Sequence, residues 1–446
     1  MNESSRAQVE LIREAFYYQS RFDGSTMVFK IDFPVTEDPL FPFLMKDLAL
    51  LAQTGIRVVI VPGAKEWIDA VLREYDIVSS YAGSVRITGE DAIPFVKMAA
   101  FDAATRFMTE LSAARVDAVV GNFVRARGLG VLDGIDYGHS GRVDKILVEP
   151  LRRIMDLGMV PILPCIGWSA AGKPYNLPSD EIALAACTAL GAVKFFIIST
   201  DPGIRPDRHR IPETIHRTDG GRVARLTPSE AEAILGLNAE RLASAPTAER
   251  ALVELELALR ASRAGVERVH IVDGRDEGAV LRELFSNLGV GTMVYADEYE
   301  SIRSMATADI PEVMRLMEPL MEQGILLRRS AEQVSEKKDD YVVYEIDGSV
   351  HASGALHDWG EGQGEIAAIA TDPLYSDLGL GRRIIRYLAD RAGKRGFKRV
   401  FVLTTRAHDY FELLGFKEAS VDSLPERKRR VYDERRKSKV FVLDLG

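Results

Sequence analysis

Gly364-Glu365-Ile366-Ala367-Ala368-Ile369-Ala370-Thr371, then Asp372-Pro373-Leu374-Tyr375-Ser376-Asp377-Leu378-Gly379-Leu380-Gly381, then residues 382–392, is the stretch that decides the C-terminal fold. A short apolar run, a turn bearing two glycines and an amphipathic segment predict strand, turn and helix in that order. This order leaves backbone N–H groups and the positive helix end where a pyrophosphate can sit. Gly379 and Gly381 let the backbone approach phosphates closely and take positive φ.

Working outward, residues 397–405 predict a further strand, followed by Tyr410-Phe411-Glu412-Leu413-Leu414-Gly415-Phe416. Upstream, a helix over 308–323 precedes strands 340–346 and 349–355 around Asp347-Gly348, a strong hairpin signal. Before residue 296 the grammar differs. A helix over 9–18 and a turn at 23–25 lead into a strand at 27–31. Helices over 44–53, 66–75, 92–114, 148–158, 180–191 and 279–287 then alternate with apolar runs at 57–61, 118–120, 160–163, 193–198, 268–272 and 289–295. Buried strands joined by helices predict a parallel sheet covered on both faces. The change of grammar places a boundary near 296–301, giving domains 1–296 and 297–446.

The 446 residues exceed one ordinary core, and 46% hydrophobic with 28% charged residues exclude a mainly disordered chain. A net charge of −9 provides no protein-wide field to collect nucleic acid or an anionic membrane. Two cysteines, Cys165 and Cys187, exclude a disulfide scaffold or a Cys-rich zinc module and suit a reducing cytoplasm. The N-terminus lacks the apolar core of a signal peptide or membrane span. We therefore expect a cytoplasmic protein without metal, nucleic acid or membrane partners. The one marked charge run is 426–439, where eight Lys or Arg face three acids.

The C-terminal order of elements and the string Tyr410 to Phe416 resemble the GCN5-related N-acetyltransferase fold, an α+β domain. The N-terminal region resembles the amino-acid kinase fold, an αβα sandwich. Together they are similar to the bacterial arginine-sensitive N-acetylglutamate synthases. The strings that carry this are Gly121-Asn122-Phe123-Val124, residues 129–137, His139-Ser140-Gly141-Arg142, residues 323–330, Phe401 to Arg406 and Arg436-Lys437-Ser438-Lys439. The resemblance implies transfer of acetyl from acetyl-CoA to the α-amine of L-glutamate, the first step of arginine biosynthesis. It also implies arginine as effector and a homo-oligomer.

An ammonium cannot attack a thioester, so a base must take its proton. The resemblance points to Glu365, at the head of the strand that contacts the thioester, and burial on a strand raises a carboxylate's pKa. Backbone N–H groups of Ala368, Ile369 and Ala370 would hold the thioester carbonyl and its oxyanion. Ser376, Gly379 and Gly381 complete the coenzyme site, with Ser376 where the family usually has Arg or Gln. Forked arginines read carboxylates best. Arg328, Arg329, Arg436 and Ser438 match the family's glutamate-binding segments, and Arg406 is a further candidate. His408 is an alternative base. The family's tyrosine acid falls at Phe411, and Tyr410, one residue earlier, is not given that role.

In the kinase-like domain the resemblance places arginine at Tyr18, Glu283, Gly289 and Gly291, where an acid and turn carbonyls can receive a guanidinium. Lys30 and Asp180 match kinase residues. Asp32 and Phe33 stand where kinases of this fold carry two glycines, and a carboxylate repels phosphate, so phosphoryl transfer is not expected. A bifunctional synthase and kinase, or a catalytically silent arginine sensor, are the alternatives.

Overall fold

The computed structural model describes residues 22–445 except 202, 216, 219–220, 245–248, 286–289, 296–299, 347, 374 and 376–378. The expected helix over 9–18 lies outside them, as does most of the 296–301 boundary. The chain divides into two compact units, 1–296 and 297–446.

The first unit is built on an eight-stranded sheet. Its order is Arg225–Leu226, Thr292–Tyr295, Arg268–Asp273, Lys194–Ser199, Thr26–Ile31, Arg57–Pro62, Val160–Ile162, Ala118–Val120. The central strands are apolar throughout because both faces are covered. Val28, Val59, Phe195 and Ile197 pack under helices Val148–Asp156, Ser179–Leu190, Pro228–Leu237 and Arg250–Arg263. Phe29, Ile60 and Phe196 face Phe41–Gln53, Ile93–Ala113 and Ala279–Phe285. The helix-joined strands run parallel as expected, while at one edge Thr292–Tyr295 runs antiparallel to Arg268–Asp273 and Arg225–Leu226 follows it.

A four-stranded sheet, Pro174–Asn176, Ile166–Trp168, Val124–Gly128, Gly141–Ile146, was not foreseen, being made of short mixed segments. Its corner is fastened by His139 Nδ1 at 2.8 Å from Pro174 O and by Ser140 Oγ at 3.0 Å from Thr88 Oγ1.

The second unit holds seven strands in the order Glu300–Ser304, Tyr341–Ile346, Ser349–Asp358, Gln363–Thr371, Arg399–Thr404, Lys439–Asp444, Lys417–Ala419. The hairpin about residues 347–348 forms as expected, with Gly348 at φ +75°. One pair is parallel, Gln363–Thr371 with Arg399–Thr404, linked by helix Leu380–Lys394. That helix buries Leu380, Ile384, Ile385 and Leu388 on one stripe. Gly354 makes room for it, since a Cβ there would lie 2.6 Å from Ile384 and 2.7 Å from Ile369.

Candidate active site

The two parallel strands pair only over Gln363–Glu365 and Arg399–Phe401, and the ladder between them stops there. On its other edge, Gln363–Thr371 carries a bulge: Ala370 faces Ser353 and Ala367 faces Ala355, so Ala368 and Ile369 share the single residue Gly354. Ala368 sits at φ +53°, an unusual value for a residue with a Cβ. Bulges interrupt the ladder and re-aim the backbone. The three residues expected to hold a thioester carbonyl are thus on the irregular part of the strand.

Helix Leu380–Lys394 starts at the C-terminal end of that strand, with Gly379 at its N-cap in the left-handed conformation, φ +60°. A Cβ on Gly381 would lie 3.1 Å from the Tyr410 hydroxyl and 3.6 Å from Thr371. Tyr410 therefore reaches the helix mouth, which spacing along the chain did not indicate. Burial pushes its phenol up, opposed by Arg382. Phe411 turns inward and packs on Phe416 and Phe441. Ser376 lies outside the described residues. His408 stacks on Phe441 with ring centroids 5.9 Å apart.

Glu365 is buried, and both of its carboxylate oxygens have partners. Lys428 Nζ donates to Oε1 and Oε2, each at 2.7 Å, and Trp359 Nε1 donates to Oε2 at 2.7 Å. Across the sheet Glu365 pairs with His357, whose Nδ1 is 2.7 Å from Asp340 Oδ2. Lys428, Trp359, His357 and Asp340 were all missed in the sequence. Lys428 was hidden within the basic run, where nothing in the sequence separates one buried lysine from its seven basic neighbours.

That basic segment does join the one bearing Arg328 and Arg329. Arg436 Nη2 donates to Gly324 O and Ile325 O, both at 3.0 Å, and the Tyr432 hydroxyl donates to Ser438 O at 2.6 Å. Arg328 is exposed; Arg329 is half-buried, and its enclosed Nη1 has no hydrogen-bond partner among the described residues. An enclosed guanidinium nitrogen without an acceptor suits a ligand carboxylate. Arg406 is exposed on the turn after Arg399–Thr404, where pairing of Thr404 with Lys439 puts it at the same sheet end as Ser438.

In the first unit, Glu283 does not present its carboxylate to solvent. It accepts from Gly291 N at 2.5 Å and lies 2.8 Å from His270 Nδ1, with both side chains buried. Burial pushes the Glu283 carboxyl up, but His270 and the Gly291 N–H outweigh it and hold it below the usual range. Gly291 admits no side chain, since a Cβ would be 2.1 Å from Ile271 O. Tyr18 and Gly289 lie outside the described residues.

At the expected phosphate position, Lys30 Nζ is 2.7 Å from Asp32 Oδ1 and 3.0 Å from Asp180 Oδ1. Arg250 grips the other Asp32 oxygen, and Asp32 Oδ1 lies 2.9 Å from where a Gly63 Cβ would be. Burial pushes the neighbouring Glu254 carboxyl up. Cations that would hold a phosphate are neutralised internally. Among the described residues no group of three or more His, Cys, Asp or Glu could hold a metal ion, and no helix is long and apolar enough to cross a membrane.

Two family models match: the amino acid kinase family over residues 35–273 and the acetyltransferase (GNAT) family over residues 307–416. The chain is 34% identical to the amino-acid acetyltransferase of Escherichia coli (strain K12), covering 98% of each. It is 35% identical to that of Shewanella oneidensis, covering 98% of this chain and 97% of the relative. The crystal structure of N-acetylglutamate synthase from Neisseria gonorrhoeae complexed with coenzyme A and L-arginine is similar at TM-score 0.82 and 31% identity, covering 98% of this chain and 99% of that one. The same synthase complexed with coenzyme A and N-acetyl-glutamate gives TM-score 0.59 and 32% identity over the same shares. With a kinase-like first unit, a GNAT second unit and relatives matched end to end, the chain belongs to the amino-acid acetyltransferase family, the family of N-acetylglutamate synthase.

Proposed function

We propose that the protein transfers acetyl from acetyl-CoA to the α-amine of L-glutamate, giving N-acetyl-L-glutamate, and that arginine acts on it through the first unit. The observation that carries this is in the second unit. A bulged, splayed strand pair with a glycine-opened helix stands in the same fold as a segment of arginines, one with an enclosed, unpaired nitrogen.

In this reading, acetyl-CoA lies with its pyrophosphate at Gly379 and Gly381, supported by Ser376, and its thioester carbonyl at Ala368, Ile369 and Ala370. Arg328, Arg329, Arg406, Arg436 and Ser438 receive the two glutamate carboxylates. Glu365 takes the proton of the α-ammonium, directly or through water, and the freed amine attacks the thioester carbonyl carbon. Backbone N–H groups then stabilise the oxyanion before the coenzyme thiolate leaves. Arginine binds at Gly291, whose N–H is held from inside by Glu283, with Tyr18 and Gly289 as further ligands. The enzyme works in the cytoplasm as a homo-oligomer.

The internal ion pairs of Lys30 disfavour a second activity as a kinase. Thiol release from acetyl-CoA with a panel of amino acids, with and without arginine, tests the proposal. Glutamate should be the preferred acceptor and arginine should alter its rate. Equal thiol release without glutamate would sink the assignment.

A further inference from the structure

Nothing in the acetyl-transfer scheme uses Lys428, yet it is among the few buried lysines of the described residues, at 7% exposure. We infer that Lys428 is a positioning residue for Glu365, fixing its carboxylate as an aimed, ionised acceptor for the proton of the incoming ammonium. The inference rests on the reading of Glu365 as the base.

The geometry is specific to that task. One ammonium donates to both carboxylate oxygens at 2.7 Å while lying 4.5 Å from the centroid of the Trp359 ring. The same indole turns its N–H onto Glu365 Oε2. Trp359 thus supports both members, one by its π face and the other by its edge. Burying such a pair is a poor way to gain stability, since apolar side chains of similar size do as well or better. A carboxylate enclosed without a counter-charge would take up a proton and cease to be a base. Among the described residues Lys428 is the one cation within salt-bridge distance of Glu365.

The groups facing Glu365 are few. His357 stands across the sheet with Asp340 at its Nδ1, Phe401 lies alongside in register, and Trp359, Leu424 and Tyr432 belong to the cluster around Phe401. Lys428 arrives from another element, the short helix Glu426–Arg429. That helix is docked by buried Leu424 and by the Glu426 N–H at 3.0 Å from Glu361 Oε1. The same C-terminal segment carries Arg436, tied to Gly324 and Ile325. One segment therefore sets both the carboxylate on the strand and the arginine-bearing loop.

The test is kcat against pH for the full chain, with acetyl-CoA and glutamate saturating, in wild type, Lys428→Met, Lys428→Arg, Trp359→Phe and Glu365→Gln. Lys428→Met should move the acidic limb to higher pH by about 1–3 pH units, so that activity lost at neutral pH returns in alkali. Lys428→Arg should bring the limb back toward the wild-type position. Trp359→Phe keeps a ring under the ammonium but removes the N–H, and should move the limb less in the same direction; it decides the matter should Lys428→Met not fold. A limb that stays in place in both variants, with a rate lowered equally at all pH values, overturns the inference. Glu365→Gln should lose the limb and about 100-fold or more in kcat. If it keeps both, the reading of Glu365 as base falls first, and through a different arm.

Discussion

Lys30 Nζ stands 2.7 Å from Asp32 Oδ1, with the two side chains only 2% and 5% exposed. A carboxylate supplied by the chain itself occupies the lysine that a kinase would turn toward phosphate. With ATP and N-acetylglutamate we expect no ADP above background, and measurable phosphoryl transfer would contradict this. Removing one partner of a buried pair leaves an uncompensated charge, so Lys30→Met should cost about 3–5 kcal/mol in denaturant unfolding of the first unit.

The enclosed Nη1 of Arg329 and the clamp from Arg436 to Gly324 and Ile325 lead to a split in kinetic constants. Arg329→Ala should raise the KM for glutamate about 10- to 100-fold, the equivalent of one charge-assisted hydrogen bond. The KM for acetyl-CoA should hardly change. Arg436→Ala should act in the same direction through the loop it fastens. Equal increases for both substrates, in initial-rate measurements, would show that neither arginine selects the acceptor.

Gly379 enters the helix at φ +60°, where a Cβ meets no neighbour but the backbone itself is unfavourable. Gly379→Val should cost about 1–2 kcal/mol at that position, more than Gly379→Ala, and weaken coenzyme A binding by roughly tenfold. Calorimetric titration of coenzyme A checks it. Unchanged affinity in the valine variant would remove the phosphate cradle from this turn.

His270 and Glu283 give the first unit a defined acid response. Glu283 is depressed below its ordinary 4.5, so its contribution is present above that value and is lost as pH falls through the folded one. His270 is pushed below 6.5 by burial, so the unfolded chain binds a proton first and stability already declines below about 6.5. The urea midpoint should fall from pH 7 to pH 4, and Glu283→Gln should flatten the lower part of that fall. A wild-type to variant difference that is constant with pH would refute the assignment. Whatever its sign, the effect of arginine on the rate should weaken in the same variant, because the Gly291 N–H loses its internal anchor.

Much of the fold was legible from the chain. Period-two and helical patterns, together with the glycine turn at 379–381, specify local structure through short-range sterics and burial. The direction of the edge strand Thr292–Tyr295 was not legible, because an apolar run reads the same whichever way it pairs with its neighbour. Among the candidate site residues, Gly379 and Gly381 were legible as a turn because glycine has a local reason to be there. Lys428 could not, since it meets Glu365 from 63 residues away, and Trp359 and His357 meet it only once one strand folds back on the next.

What the sequence determined by itself was two domains, their classes, and the residue types able to cradle phosphate and read carboxylates. Only the tertiary structure decided which charges are spent internally. Lys30 on Asp32, Lys428 on Glu365 and Glu283 on the Gly291 turn are each settled by burial. Out of water, an ionised group persists only with a partner, and the partner is chosen by packing, which composition and spacing do not record.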